Sequence, residues 1–109
     1  MPAVFTHLAL HVADIDATIE FYGAFCNMGV VHRREMEGDC GRVAWLAEPG
    51  RERELIMVLI SGGPARPEIP RDYSHLGFAL ESEQAVDALA LRGEQAGCLA
   101  WKPQRAPYP

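Results

Sequence analysis

No stretch of this sequence is apolar for longer than the six residues Leu55 to Ile60, so no segment is long enough to span a bilayer as a helix. The first residues, Met-Pro-Ala-Val-Phe-Thr-His, show neither a basic leader nor a long apolar run, and no secretory signal is read there. Basic residues are in deficit: ten Lys and Arg face fifteen Asp and Glu, a formal charge of −5. Arg51, Arg53, Arg66 and Arg71 are broken up by Glu and Pro and form no stripe, which argues against a nucleic-acid partner. Cysteine is scarce and odd in number; Cys26, Cys40 and Cys98 lack CxxC spacing and read as reduced thiols, not as a disulfide framework or zinc site. No Ser-His-Asp set, phosphate loop or dinucleotide fingerprint can be assembled. What is present is 49% apolar residues in a chain of 109, enough for one domain with a core and too much for disorder. The expectation is a soluble, acidic, cytoplasmic domain.

An internal repeat organises the chain. Phe5-Thr6-His7-Leu8-Ala9-Leu10-His11-Val12 returns as Tyr73-Ser74-His75-Leu76-Gly77-Phe78-Ala79-Leu80, an offset of 68 residues. The same offset relates Asp14 to Ser82, both good helix N-caps, and Gly29 to Gly97, each placed to end a helix in the left-handed conformation. Between these marks Ile15, Ile19, Tyr22 and Cys26 recur at helical spacing, as do Val86, Leu89, Ala90 and Ala96. Strands are predicted at Val30 to Glu37 and Arg42 to Ala47, with Gly38-Asp39-Cys40-Gly41 as their turn, and at Glu54 to Ile60. The Gly- and Pro-rich residues 61–72 read as a linker. A first βαβββ module thus covers 5–60. A second occupies 73–109, with a strand at Tyr73 to Leu80, a helix at Glu83 to Ala96 and a strand at Cys98 to Trp101. That copy stops as βαβ, and Pro103 to Pro109 reads as loop.

Strand alternation separates two faces in each copy. Leu8, Leu10 and Val12, like Leu76, Phe78 and Leu80, suit packing under a helix. His7, Ala9 and His11, like His75, Gly77 and Ala79, put an imidazole and small residues on the opposite face, where a curved sheet would enclose a cleft. In the strand ending at Ile60, Leu55, Met57 and Leu59 share one face and Ile56, Val58 and Ile60 the other.

Tandem βαβββ modules with a histidine near the start of each first strand resemble the vicinal oxygen chelate superfamily. Its members include glyoxalase I, extradiol dioxygenases, methylmalonyl-CoA epimerase, and the fosfomycin- and bleomycin-resistance proteins. The similarity rests on Thr6-His7-Leu8-Ala9-Leu10-His11-Val12-Ala13-Asp14 with Glu20-Phe21-Tyr22, and on Ser74-His75-Leu76-Gly77-Phe78-Ala79-Leu80. It implies an α+β fold in which paired modules enclose a metal cleft. It also implies His7 and His75 as ligands of a divalent Fe, Mn, Zn or Ni ion, and His11 as a substrate contact. The implied activity is chelation of vicinal oxygens of a small molecule, in lyase or ring-cleaving dioxygenase chemistry, by a homodimer. The alternative is a metal-free binding module of the bleomycin-resistance kind.

Two departures qualify the resemblance. The fourth-strand position that carries Glu in glyoxalase-like members falls on Met57, and a thioether is a poor ligand for hard divalent ions. The carboxylate of the two-histidine members is expected past Pro109, so the 109 residues read as a truncated and impaired form that tends to associate. Glu54 is set aside as lying on the wrong face by strand parity. For single residues the ordinary readings are these: His11 as a hydrogen-bonded wall residue, His32 as a solvated strand residue, Tyr22, Phe25 and Cys26 as core, and Trp45 and Trp101 as packed core with an aromatic cleft wall as the alternative.

Overall fold

The alternating segment around His7 forms a strand, β1 (His7–His11), and Asp14 starts the helix that follows. The Asp14 carboxylate accepts a hydrogen bond from the Ala17 amide at 3.0 Å, capping α1 (Ile15–Cys26) as its residue type predicts. Three more strands complete the first module: β2 (Gly29–Glu35), β3 (Arg42–Ala47) and β4 (Ile56–Ile60). One further helix, α2 (Glu83–Gln95), begins at Ser82, whose hydroxyl accepts from the Ala85 amide at 3.1 Å. This is a computed structural model, and it describes residues 2–37, 41–64, 67 and 70–107. Gly38, Asp39 and Cys40 of the expected hairpin turn and part of the linker lie outside the described residues.

The sheet is mixed, in the order β1-β4-β3-β2, with β1 parallel to β4 and the other pairs antiparallel. Register assigns the faces. Leu8 lies opposite Met57 and Leu10 opposite Leu59, while Ala44 and Leu46 oppose Leu59 and Met57 from the other side. With Ile15 from α1, these β3 and β4 residues form the buried core, and Leu8, Leu10, Ile19 and Tyr22 pack against it. The other face carries His7, Ala9 and His11 opposite Ile56, Val58 and Ile60. Both strand faces therefore divide as the alternation predicts, in an α+β fold.

Four expectations are corrected. Met57 is buried in the core at 3% exposure, so the cleft-facing residues of β4 are Ile56, Val58 and Ile60. Gly29 does not end α1; Asn27 does, at φ 54°, with its amide bonded to the Tyr22 carbonyl, and Gly29 opens β2. Gly97 keeps its expected role at φ 76°, where its amide bonds Glu94 and that of Cys98 bonds Gly93, closing the end of α2. Residues 73–80 and 98–101 form no strand. The reason follows from the first module: β1 exists by pairing with β4, and among the described residues no strand pairs with 73–80 in that way. The chain divides into two units, Met1–Asp72 and Tyr73–Pro109, and the sheet belongs to the first.

At one end of the β3–β4 pair the buried Ser61 hydroxyl accepts the Arg42 amide at 3.1 Å, and the Ser61 amide donates to the Arg42 carbonyl at 2.9 Å. Gly41 sits against this clasp at φ 85°, and a Cβ there would collide with the Ser61 carbonyl. Gly50 has nearly the same φ, 83°, but open space around it. Gly41→Ala is therefore expected to destabilise the protein more than Gly50→Ala, which carries only the conformational cost of about 1–2 kcal/mol. Urea denaturation of the two variants measures the difference. In the same assay Leu59→Ala, at a fully buried site, should cost about 2–5 kcal/mol. Val4→Ala, where the side chain is 76% exposed, should stay within about 0.5 kcal/mol of the parent.

Candidate functional site

The face of the sheet turned away from α1 carries a cleft of about 450 Å³. Its floor is aliphatic, made by Ala9 of β1 and by Ile56, Val58 and Ile60 of β4. One wall carries Trp45 of β3 and Arg34 of β2, and another carries Thr6 and His7. The turn before β4 supplies Glu52, Arg53 and Glu54 to the rim.

His7 is on this cleft wall, as the alternation predicts. Its Nδ1 lies 3.0 Å from the Thr6 hydroxyl, and no other partner of the ring is found among the described residues. In the second unit His75 is held in a related way, with Nδ1 donating to the Tyr73 carbonyl at 2.9 Å. Both rings thus bond through Nδ1 to an oxygen no more than two residues away, and no bond of Nε2 is found among the described residues. That is how a ligating imidazole is oriented when its other nitrogen is fixed by an oxygen. The fit to a metal is right in kind but short in number: among the described residues no group of three or more His, Cys, Asp or Glu could hold an ion.

His11 shares the face of His7, opposite Ile60, but its Nε2 donates to the Gly62 carbonyl, 2.6 Å away. The carbonyl is acceptor only, so this bond fixes the proton on Nε2 and leaves Nδ1 as the acceptor. The histidine fastens the end of β1 to the start of the linker.

Three features of the cleft escape strand alternation. Trp45 is not core: it opposes Val58 on the cleft face, stays 38% exposed, and has His32 at its ring with centroids 4.8 Å apart. Trp101, in the second unit, is likewise exposed. Arg34 reaches the cleft because β2 contains a bulge between Val30 and His32. Simple alternation puts Val30, His32 and Arg34 on one face. The extra residue reverses parity, so Val30 packs on the core while His32 and Arg34 oppose Trp45 and Val43. Glu54 reaches the rim because it belongs to the turn rather than to β4, so strand parity does not govern it.

The rim carboxylates are already engaged. Glu54 accepts from Arg51 Nε at 2.8 Å, and Glu52 accepts from the Gly50 amide at 3.0 Å. Hydrogen bonds from its own backbone amide and from Gly50 hold the Glu52 carboxyl below the usual range, so it remains charged. On α1, Tyr22 packs against the core, and burial pushes the half-buried Cys26 thiol up, which makes it a poor nucleophile. No helix among the described residues is long and apolar enough to cross a membrane.

Comparison with known proteins places this geometry. The model of the Glyoxalase/Bleomycin resistance protein/Dioxygenase superfamily matches residues 4–108. An uncharacterised protein of Pseudomonas aeruginosa, PA2024, is 53% identical over 109 residues, spanning all of this chain and 76% of that protein. Among solved structures, a variant of the fosfomycin resistance protein FosX from Listeria monocytogenes has a similar fold. It was solved with Mn(II) and 1S,2S-dihydroxypropylphosphonic acid; its TM-score is 0.73 at 22% identity, over 98% of this chain and 79% of that one. Glyoxalase I of Leishmania major gives a TM-score of 0.66 at 18% identity, over 88% of this chain and 68% of that one. At such identities the structures speak for the fold alone. The extent of the family match settles the family: this chain belongs to the Glyoxalase/Bleomycin resistance protein/Dioxygenase superfamily.

Proposed function

We propose that this chain is a metalloprotein that chelates vicinal oxygens of a small substrate, with His7 and His75 as its imidazole ligands. The observation that carries the reading is the common tethering of the two rings, each held through Nδ1 by a nearby oxygen at repeat-equivalent positions. Imidazole nitrogen suits Fe, Zn and Ni ions and tolerates Mn. A divalent ion bound there would supply Lewis-acid activation of the chelated oxygens, for lyase or dioxygenase chemistry.

The residues of the chain have separate tasks in this scheme. The aliphatic floor of Ile56, Val58 and Ile60 excludes water from the bound molecule. His11 meets substrate through its Nδ1 edge, its Nε2 proton being committed to Gly62. A third protein donor, expected to be a carboxylate, is needed to offset the charge of the ion. The competing reading, a metal-free binding module, is favoured by the lack of a three-ligand cluster among the described residues.

Metal analysis decides between them. After dialysis against Mn, Fe, Zn or Ni salts, the protein should retain an ion in fixed stoichiometry and lose it in the His7→Ala/His75→Ala double variant. Absence of metal from every preparation would favour the binding module instead, and metal uptake unchanged in the double variant would overturn the assignment of His7 and His75 as ligands. The proposed assembly is a homodimer. It is supported by the apolar side chains the second unit leaves open, Tyr73 and Trp101 each at 81% exposure. Sedimentation should show two copies, and a monodisperse monomer at high concentration would contradict that assignment.

A further inference from the structure

The charges around the cleft are unequal in what they have left to give. Of the rim carboxylates, Glu54 is paired with Arg51, while Glu52 accepts the Gly50 amide and keeps its charge. Arg51 is itself paired twice, bridging Glu54 at 2.8 Å and Glu48 at 2.9 Å. The two remaining arginines of the cleft, Arg34 and Arg53, have no ion pair among the described residues. Their positions are specific to this fold. Arg34 is brought to the cleft face by the β2 bulge, and Arg53 by the turn before β4. The same cleft offers the half-exposed indole of Trp45 and the aliphatic floor.

From this we infer that the cleft selects a small organic anion, with an oxyanion head held by Arg34 and Arg53 and a flat apolar body laid against Trp45. The inference rests on the cleft being the ligand site of the function proposed above, and it adds the substrate class. Guanidinium groups bind carboxylate and phosphoryl oxygens through paired N–H donors, and the bonds are charge-assisted. An indole face accepts a planar body without demanding polar groups from it. A chain with a net charge of −5 has little general attraction for anions, so the selection lies in these two side chains.

The test is calorimetric titration of the full chain, in EDTA, with benzoate, phenylphosphonate and neutral benzamide. EDTA makes the readout independent of bound metal. At least one of the two anions should bind, and benzamide should bind at least about tenfold more weakly. The ratio of benzoate to phenylphosphonate affinity identifies the head as carboxylate or phosphoryl. Arg34→Gln and Arg53→Gln should each weaken anion binding about tenfold, with partial recovery in Arg34→Lys. Trp45→Ala should weaken anions and benzamide alike. Circular dichroism of each variant verifies its fold. Equal affinity for benzamide and the anions, no binding of either anion at millimolar concentration, or anion affinity indifferent to both arginine substitutions would overturn the inference. Should anions bind only after Mn is added back and survive both substitutions, the metal reading would stand and this one would fall. Should metal never bind while the arginine-dependent titration persists, the reverse would hold.

Discussion

The parallel pairing of β1 with β4 is the constraint on which the rest of the first unit depends. It brings together segments some fifty residues apart and fixes His7 opposite Ile56. Side chains alternate along a strand, so a slip by one residue would bury His7 in the core and expose Leu8. The buried row of Met57, Leu59, Ala44 and Leu46 resists such a slip, since it would leave the core polar. The chemistry-bearing face is thus held in place by the hydrophobic packing on the opposite face.

The same logic explains why the second unit differs. Its sequence repeats the His-containing strand, the N-cap and the C-terminal glycine, and the locally determined parts form: α2 begins at Ser82 and closes at Gly97. The strand-like segment 73–80 depends on a ladder partner and does not form one. Helices satisfy their backbone within themselves, whereas a strand needs another chain segment beside it.

That contrast also marks what the sequence could show. Caps, the helical spacing of Ile15, Ile19 and Tyr22, and the two faces of β1 and β4 are local patterns, and they were legible. The cleft wall was not. Whether Trp45 faces the core or the cleft depends on its register against Val58, and Arg34 reaches the cleft only through a bulge that alternation alone cannot reveal. Met57 was misplaced for a related reason: both faces of β4 are apolar, so composition does not mark which one meets the cleft, and a shift of one residue changes the face. The imidazole tethers belong to the same class, because side-chain hydrogen bonds to neighbouring oxygens have no signature in composition or spacing.

Nuclear Overhauser contacts across the β1–β4 ladder test this account most directly. With His7 and Ala9 on the cleft face, the His7 ring should show contacts to the Ile56 side chain, and the Ala9 methyl to that of Val58. Contacts of His7 or Ala9 with the buried Leu46 and Ile15 side chains would place the histidine in the core and contradict the register on which the cleft is built.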